Sequence, residues 1–257
     1  MRILFVGDVF GQPGREALLG WLPGFREAAA IDFVVANGEN AANGAGITSK
    51  IARRLLDGGV DVLTTGNHVW RQREVFGFLA SDERIVRPAN YPAGAPGRGL
   101  TVRPAADGTP VAVVNLAGNL YMNTGLSAFR LVDHLVDEAH ERAATVIVDM
   151  HAEATSEKVA MGHYLDGRVT AVVGTHTHVQ TSDARVLPGG TAYITDVGMT
   201  GPLESVIGVR TDIIVQRFLT EMPQRFEVAD GPARLDAVVI TAEAGRASSI
   251  ETLEAIL

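Results

Sequence analysis

The sequence predicts an α/β fold, and three observations carry the prediction. Short apolar runs rich in β-branched residues recur along the chain. Stretches with helical periodicity separate most of them, the alternation expected of mixed sheets with crossover helices. The first three runs are almost continuously apolar, as strands covered on both faces are.

In chain order, strands are expected at "RILFVGD" (2–8), "IDFVVANGEN" (31–40), "VDVLTTGNH" (61–68), "PVAVVNLAG" (110–118), "ATVIVDMHAE" (144–153), "VTAVVGTHTH" (169–178) and "TAYITDVG" (191–198). Helices are expected at about 14–29, 48–57, 70–80, 127–143 and 156–165. Thr48 or Ser49 suits the cap of the second helix and Ser127 that of the fourth, while Gly58 and Gly167 suit helix stops. "ARLDAVVITAEAG" (233–245) reads as a late strand. The Pro- and Gly-rich "RPANYPAGAPGRG" (87–99) has the composition of a domain linker, but candidate site residues lie on both sides of it. It is therefore read as a surface loop, within one domain spanning 1–257.

Composition narrows the function. The chain has no cysteine, which excludes disulfides, thiolate metal sites and a cysteine nucleophile, and fits a reducing cytoplasm. Net charge is −8 with no dense Lys/Arg block, so backbone binding to duplex nucleic acid is not expected. An acidic chain still accepts a small phosphate ester where a bound cation supplies local charge. "MRILFVGDVF" is too short an apolar run for a signal peptide, and no run is long enough to span a membrane, so a soluble cytoplasmic protein is expected. Exposed loops leave room for a homo-oligomer.

The chemistry lies in the polar residues at the ends of the apolar runs. The runs deliver Asp8, then Glu39 and Asn40, then Asn67 and His68, then His151, then His176 and His178. In open α/β sheets the crevice beyond the strand carboxyl ends is the usual ligand site. Each residue has a plainer reading. Asp8 suits a helix cap, Glu39 a solvated loop, Asn67 a turn, and His151 a structural histidine. His176 and His178, one residue apart, would share a face if extended. Together they form an oxygen and imidazole donor set for a borderline or hard divalent metal such as Mn, Fe or Zn. The donors exceed the needs of one tetrahedral site and suit two ions, roughly 3.5–4 Å apart, sharing a carboxylate. His134, His140 and His163 lie in helical patterns and are expected on the surface or in packing.

The blocks "GDVFG", "NGEN", "TTGNHVW" and "GTHTH" resemble the calcineurin-like metallophosphoesterases. The fuller strings "NGENAANGAGIT", "DMHAEATSEK", "VGTHTHVQT" and "DVGMTGP" are similar to one bacterial branch, the YmdB-type phosphodiesterases. The resemblance runs to Val209; the remainder matches by length and strand pattern. It implies a four-layer α-β-β-α sandwich and a dinuclear centre, often iron or manganese, that hydrolyses small phosphodiesters, among them cyclic nucleotides such as 2′,3′-cyclic AMP. Three positions depart from the superfamily pattern. Phe10 stands where a histidine is usual, Glu39 where the bridging Asp is usual, and Val69 where an acid is usual. Asn40 offers a carbonyl oxygen in place of the lost histidine. The expected division is Asp8, Asn40 and His178 on one ion, Asn67, His151 and His176 on the other, and Glu39 bridging.

The resemblance puts His68 beside the leaving oxygen, as a general acid rather than a ligand. Two divalent ions, less Asp8, Glu39 and a hydroxide, leave about plus one, which balances a diester better than a monoester. "NLAGNLYMNTG" (115–125) is placed as a rim over the site, with Tyr121 as a core or surface aromatic in preference to a base-stacking one. Competing readings are a metal- or nucleotide-sensing regulator with little catalytic output and a metal-dependent monoesterase. The spacing of "GDVFGQPG" does not fit a dinucleotide fingerprint, and no G-x-S-x-G elbow is present.

Overall fold

The computed structural model describes residues 1–122 and 124–257. The expected elements form, with additions. In order they are β1 (Arg2–Val6), β2 (Asp8–Val9), α1 (Gly11–Ala28), β3 (Phe33–Asn37), α2 (Ser49–Asp57), β4 (Val62–Thr64), α3 (Val75–Ser81), β5 (Leu100–Pro104), β6 (Pro110–Ala117), α4 (Ala128–His140), β7 (Thr145–His151), α5 (Thr155–Tyr164), β8 (Ala171–Thr175), β9 (Arg185–Val186), β10 (Ala192–Ile194), β11 (Met199–Pro202), α6 (Thr211–Thr220), β12 (Ala233–Glu243) and β13 (Arg246–Ile256).

Two mixed sheets result. One runs β2-β11-β12-β1-β3-β4, with β13 on the other edge of β12. The second runs β5-β6-β7-β8-β10-β9. β1, β3 and β4 are mutually parallel, as are β6, β7, β8 and β10. Strand alternation sorts side chains into three apolar layers. Ile3, Phe5, Val35 and Ile147 meet between the sheets. Leu4, Val6 and Val34 face Leu18 and Leu22 of α1 and Leu55 of α2. Val114, Val146 and Val148 face Val132 and Val136 of α4 and Met161 of α5. The outcome is the expected α-β-β-α sandwich. Each fully buried Val, Leu, Ile or Phe contributes about 1.5–3 kcal/mol relative to exposure. Because β1 and β3 are apolar on both faces, hydrophobicity alone does not fix their register. The polar groups that must leave the apolar layers at the strand ends do so, and those groups build the site.

Local signals held where a side chain could act on them. Thr48 caps α2, accepting from the Ile51 N–H at 3.2 Å, and Gly58 closes it. Ser127 is at the N-cap of α4 without a side-chain bond; Asn119 Oδ1 accepts the Ala128 N–H instead, at 3.2 Å. The helix expected from residue 70 begins at Val75, because Trp70 is drawn edge-on against Phe76 and Tyr91. The 87–99 segment is a loop, but its first half is not on the surface. Arg87 is buried and donates to the carbonyls of Pro88, Ala89, Ala95 and Pro96, and Asn90 holds Ala117 through its side chain. Among the described residues, no helix is long and apolar enough to cross a membrane.

Candidate metal centre

The structure brings all eight expected residues to one place, where the carboxyl ends of the two sheets meet. Asp8 opens β2; Glu39 and Asn40 follow β3; Asn67 and His68 follow β4. From the other sheet, His151 ends β7, and His176 and His178 follow β8. Asp8, Glu39 and His151 have no exposed surface.

His151 Nε2 lies 3.1 Å from Glu39 Oε1, 3.0 Å from Asn67 Oδ1 and 3.1 Å from His176 Nδ1. One N–H cannot serve three acceptors at once, whereas a cation can be shared by all four atoms. Glu39, His151 and His176 thus form a candidate metal site. Beside it, the Asn40 Nδ2 faces Glu39 Oε1 at 3.2 Å, His178 Nε2 at 3.1 Å and Asp8 Oδ1 at 3.5 Å. Two amide hydrogens again meet three acceptors. An ion here would require the amide turned so that Oδ1 points inward, the orientation being an assignment made from hydrogen bonds. Glu39 Oε1 belongs to both groups.

The plainer readings of Asp8 and Glu39 fall away, while Asn67 does stand in a turn, closed by the Val69 N–H on the Gly66 carbonyl at 3.2 Å. Asp8 does not cap α1, whose N-cap is Phe10 without a side-chain bond; Asp8 Oδ2 accepts the His176 N–H at 3.0 Å. Glu39 is not solvated, and its Oε2 accepts the His68 N–H at 3.0 Å. Gly66 is obligatory, since a Cβ there would fall 2.2 Å from His151 Nε2 and 2.3 Å from Glu39 Oε2. His134 and His163 are exposed on their helices, and His140, also exposed, hydrogen-bonds the Arg168 carbonyl at 2.7 Å.

The electrostatics reflect burial opposed by neighbours. Burial pushes the Asp8 carboxyl up, against His178 and His151. Burial also opposes charge on Glu39, but His151 and His68 outweigh it and hold that carboxyl well below its usual range. Burial disfavours a charged His151, yet Glu39 and Asp8 prevail and lift it to about 9. Burial and the facing His151 push His176 down to about 3. Burial lowers His68, with Glu39 pulling the other way.

The pairing of His176 and His178 has a different origin from the one expected. They are not on an extended strand. β8 ends at Thr175, and both histidines have left-handed backbones, φ 101° and φ 64°. Such residues persist only where the surroundings over-determine them. The fixing point is Thr177, whose N–H and hydroxyl donate to Asp196 Oδ2 at 3.0 and 2.7 Å. The same oxygen accepts from the buried Lys158 Nζ at 2.6 Å. Asp196→Ala would strand a buried ammonium, so a loss of about 3–5 kcal/mol is expected in urea unfolding. A change under about 1 kcal/mol would show that the pair holds nothing. Lys158 and Asp196 escaped the sequence reading, though a Lys in "ATSEK" and an Asp directly after "YIT" carried the signal.

A second unforeseen chain lies beneath His151. Its Nδ1 meets Thr175 Oγ1 at 2.9 Å, and that hydroxyl donates to Asp149 Oδ1 at 2.7 Å. Asn37 Nδ2 donates to Asp149 Oδ2 at 3.2 Å. Burial pushes the Asp149 carboxyl up to about 6, with His151 opposing. A hydrogen-bonded Nδ1 fixes the ring so that Nε2 is the ligating atom. Phe10, in place of the usual histidine, is buried with Met199, Val209 and Ile214 and meets the His178 ring edge-on at 5.6 Å.

Glu39, Asn40, His68, His176 and His178 open onto a cavity of about 580 Å³, within the size range of small-molecule sites. The expected rim, 115–125, contributes none of its described residues to the lining; Asn123 lies outside the described residues. Glu157 holds that segment toward α5, accepting the N–H groups of Asn119 and Leu120, and Tyr121 is 90% exposed. The wall is formed instead by Ile207, Val209, Phe226 and Val228.

Two facing mixed sheets between helix layers, with nitrogen and oxygen donors from five strand ends at their junction, are the fold of a solved calcineurin-like phosphoesterase. The crystal structure of calcineurin-like phosphoesterase YfkN from Bacillus subtilis shares the fold, with a TM-score of 0.56, 12% identity, and coverage of 100% of this chain and 90% of that one. The chain belongs to the YmdB-like protein family, whose model matches residues 4–253. It is 49% identical to the 2′,3′-cyclic-nucleotide 2′-phosphodiesterase of Bacillus subtilis (strain 168) over 240 residues, 93% of this chain and 90% of that protein. A crystal structure of a protein from Thermus thermophilus superposes with a TM-score of 0.94 at 46% identity, covering 100% of this chain and 99% of that one.

Proposed function

We propose that the chain acts as one unit, residues 1–257, hydrolysing small phosphodiesters with two divalent ions, and that cyclic nucleotides of the 2′,3′-cyclic AMP kind are its substrates. The observation that carries this reading is the sharing of Glu39 Oε1 between two donor groups. Asp8, Asn40 and His178 stand on one side of it and Asn67, His151 and His176 on the other. The 49% identical relative named for cyclic-nucleotide cleavage supports the substrate class. The donor set suits manganese, iron or zinc, and the family resemblance favours iron or manganese. When bound, two such ions supply an activated water and neutralise charge on phosphoryl oxygens.

The chain's own groups do the rest. Asp8 and Glu39 set the charge of the centre, leaving a net charge matched to a monoanionic diester. His68 Nδ1 lies 2.9 Å from the Asn40 amide oxygen. As general acid the ring must be the imidazolium, with its Nε2–H available to the departing alkoxide. Burial disfavours the imidazolium, whereas a bound phosphodiester anion favours it, so the acid form is raised by the substrate itself. A sensor has no use for such a group in its cavity.

Elemental analysis of protein purified without added metal is expected to find two ions per chain. Steady-state rates on a matched cyclic diester and monoester are expected to give the higher kcat/KM to the diester. A monoester preference would overturn the diester reading; a metal-free protein of full activity would overturn the centre itself.

A further inference from the structure

On the proposed reading the metal centre takes the phosphate, and the remainder of the substrate is met elsewhere in the cavity. The cavity wall opposite the sheet ends is apolar and built with unusual care. Residues 207–210 pair with 226–229: Arg210 N–H donates to the Glu227 carbonyl and Ala229 N–H to that of Gly208, both at 3.0 Å. Ile207 and Phe226, from the two segments, each keep 50% of their surface exposed and line the cavity.

Ile207 has a left-handed backbone at φ 47°, a conformation that β-branched residues rarely adopt. Its surroundings enforce it. Ser205 Oγ accepts the Gly208 N–H at 2.9 Å and donates to the Pro202 carbonyl at 2.7 Å. Gly208, also left-handed at φ 100°, lies so close over Phe10 that a Cβ would fall 2.4 Å from the ring. The strain has two results. The Ile207 carbonyl takes His178 Nδ1 at 3.0 Å, leaving Nε2 to face Asn40 and Asp8. The Ile207 side chain is meanwhile turned into the cavity.

The Arg217 guanidinium lies over the Phe226 ring, 5.2 Å from its centre, and does not line the cavity. A cation on one face leaves the other for a planar partner. The neighbouring Glu227 carboxylate is ion-paired with Arg210 at 2.9 Å, so it does not present a free negative charge to an anionic substrate. The wall is continuous with the phosphate end of the cavity through His178.

The geometry points to Phe226 and Ile207 as the nucleobase site of the enzyme, the base stacking on Phe226 against Ile207 while the phosphodiester lies at Asn40 and His178. This rests on the phosphodiesterase reading and adds specificity to it. Tyr121, outside the cavity lining, has no part in it.

The test compares a cyclic ribonucleotide with the cyclic phosphate of baseless ribose, in wild type, Phe226→Ala, Phe226→Leu and Phe226→Trp. Phe226→Ala should lose about tenfold more kcat/KM on the nucleotide than on the baseless ester, the loss appearing in KM. Phe226→Leu should resemble the alanine variant and Phe226→Trp the wild type. Calorimetric binding of adenosine monophosphate and ribose phosphate gives a readout free of turnover, with wild type expected to favour the former and Phe226→Ala to lose that preference. Equal losses on both esters, or a leucine variant equal to wild type, would overturn the base site. If wild type turned over neither ester, the phosphodiesterase reading would fall. The base site would then stand or fall on whether the protein prefers adenosine monophosphate to ribose phosphate.

Discussion

Glu39→Ala is expected to lose bound metal and diesterase turnover together. The reason is geometric. One oxygen of this carboxylate is 3.1 Å from His151 Nε2 and 3.2 Å from the Asn40 amide, so it is common to both donor groups. The other accepts the His68 N–H at 3.0 Å and thereby fixes the loop that carries Asn67. Removal of an outer partner of a metal ligand typically lowers metal affinity about 10–100-fold; removal of the shared ligand should exceed that for both ions. Asp8→Ala should follow the same course, its second oxygen also anchoring the His176 N–H at 3.0 Å. Elemental analysis and diester turnover, read on the same preparations with circular dichroism as the folding check, decide the matter. Full diesterase activity in either variant would sink the dinuclear centre.

His68→Ala is expected to behave in the opposite way, keeping its metal while kcat falls by about 10²–10⁴-fold, the usual contribution of a positioned general acid. The bond from residue 68 to Glu39 comes from the backbone N–H, and alanine retains it. The side chain contributes the contact to Asn40, a 3.6 Å approach of Nδ1 to Glu39 Oε1 and the face it turns to the cavity. Loss of metal from this variant would contradict the assignment, because it would make the ring part of the holding structure.

The contrast between these two outcomes separates what the sequence announces from what only the fold reveals. The eight site residues were legible because each follows an apolar run, and a polar group at a strand end is a conspicuous break in pattern. The sandwich was legible for the same reason, through runs such as "ILFV" and "FVVAN". The reason for the His176–His178 pairing was not legible. Alternation predicts a shared face, but the two left-handed residues come from Asp196 and Lys158, remote in sequence from Thr177. β13 was missed because "RASSIETLEAI" is mostly polar and is ordered by pairing along β12. α6 was missed because it buries only Ile214 and so shows no clear apolar stripe. Phe226 follows α6, in an exposed stretch whose relation to the cavity exists only after 207–210 and 226–229 pair.

The position of β12 bears on how the chain is made. β1 lies between β3 and β12, and β12 begins only at Ala233. Emerging from the ribosome, β1 therefore keeps one hydrogen-bonding edge open until every other strand but β13 has been translated. Its neighbours are apolar on both faces, so an unfinished chain exposes a strand edge bordered by sticky surface, the usual template for association between chains. β12 and β13 are thus a closing clasp, and the enzyme's solubility during synthesis depends on residues that take no part in its chemistry.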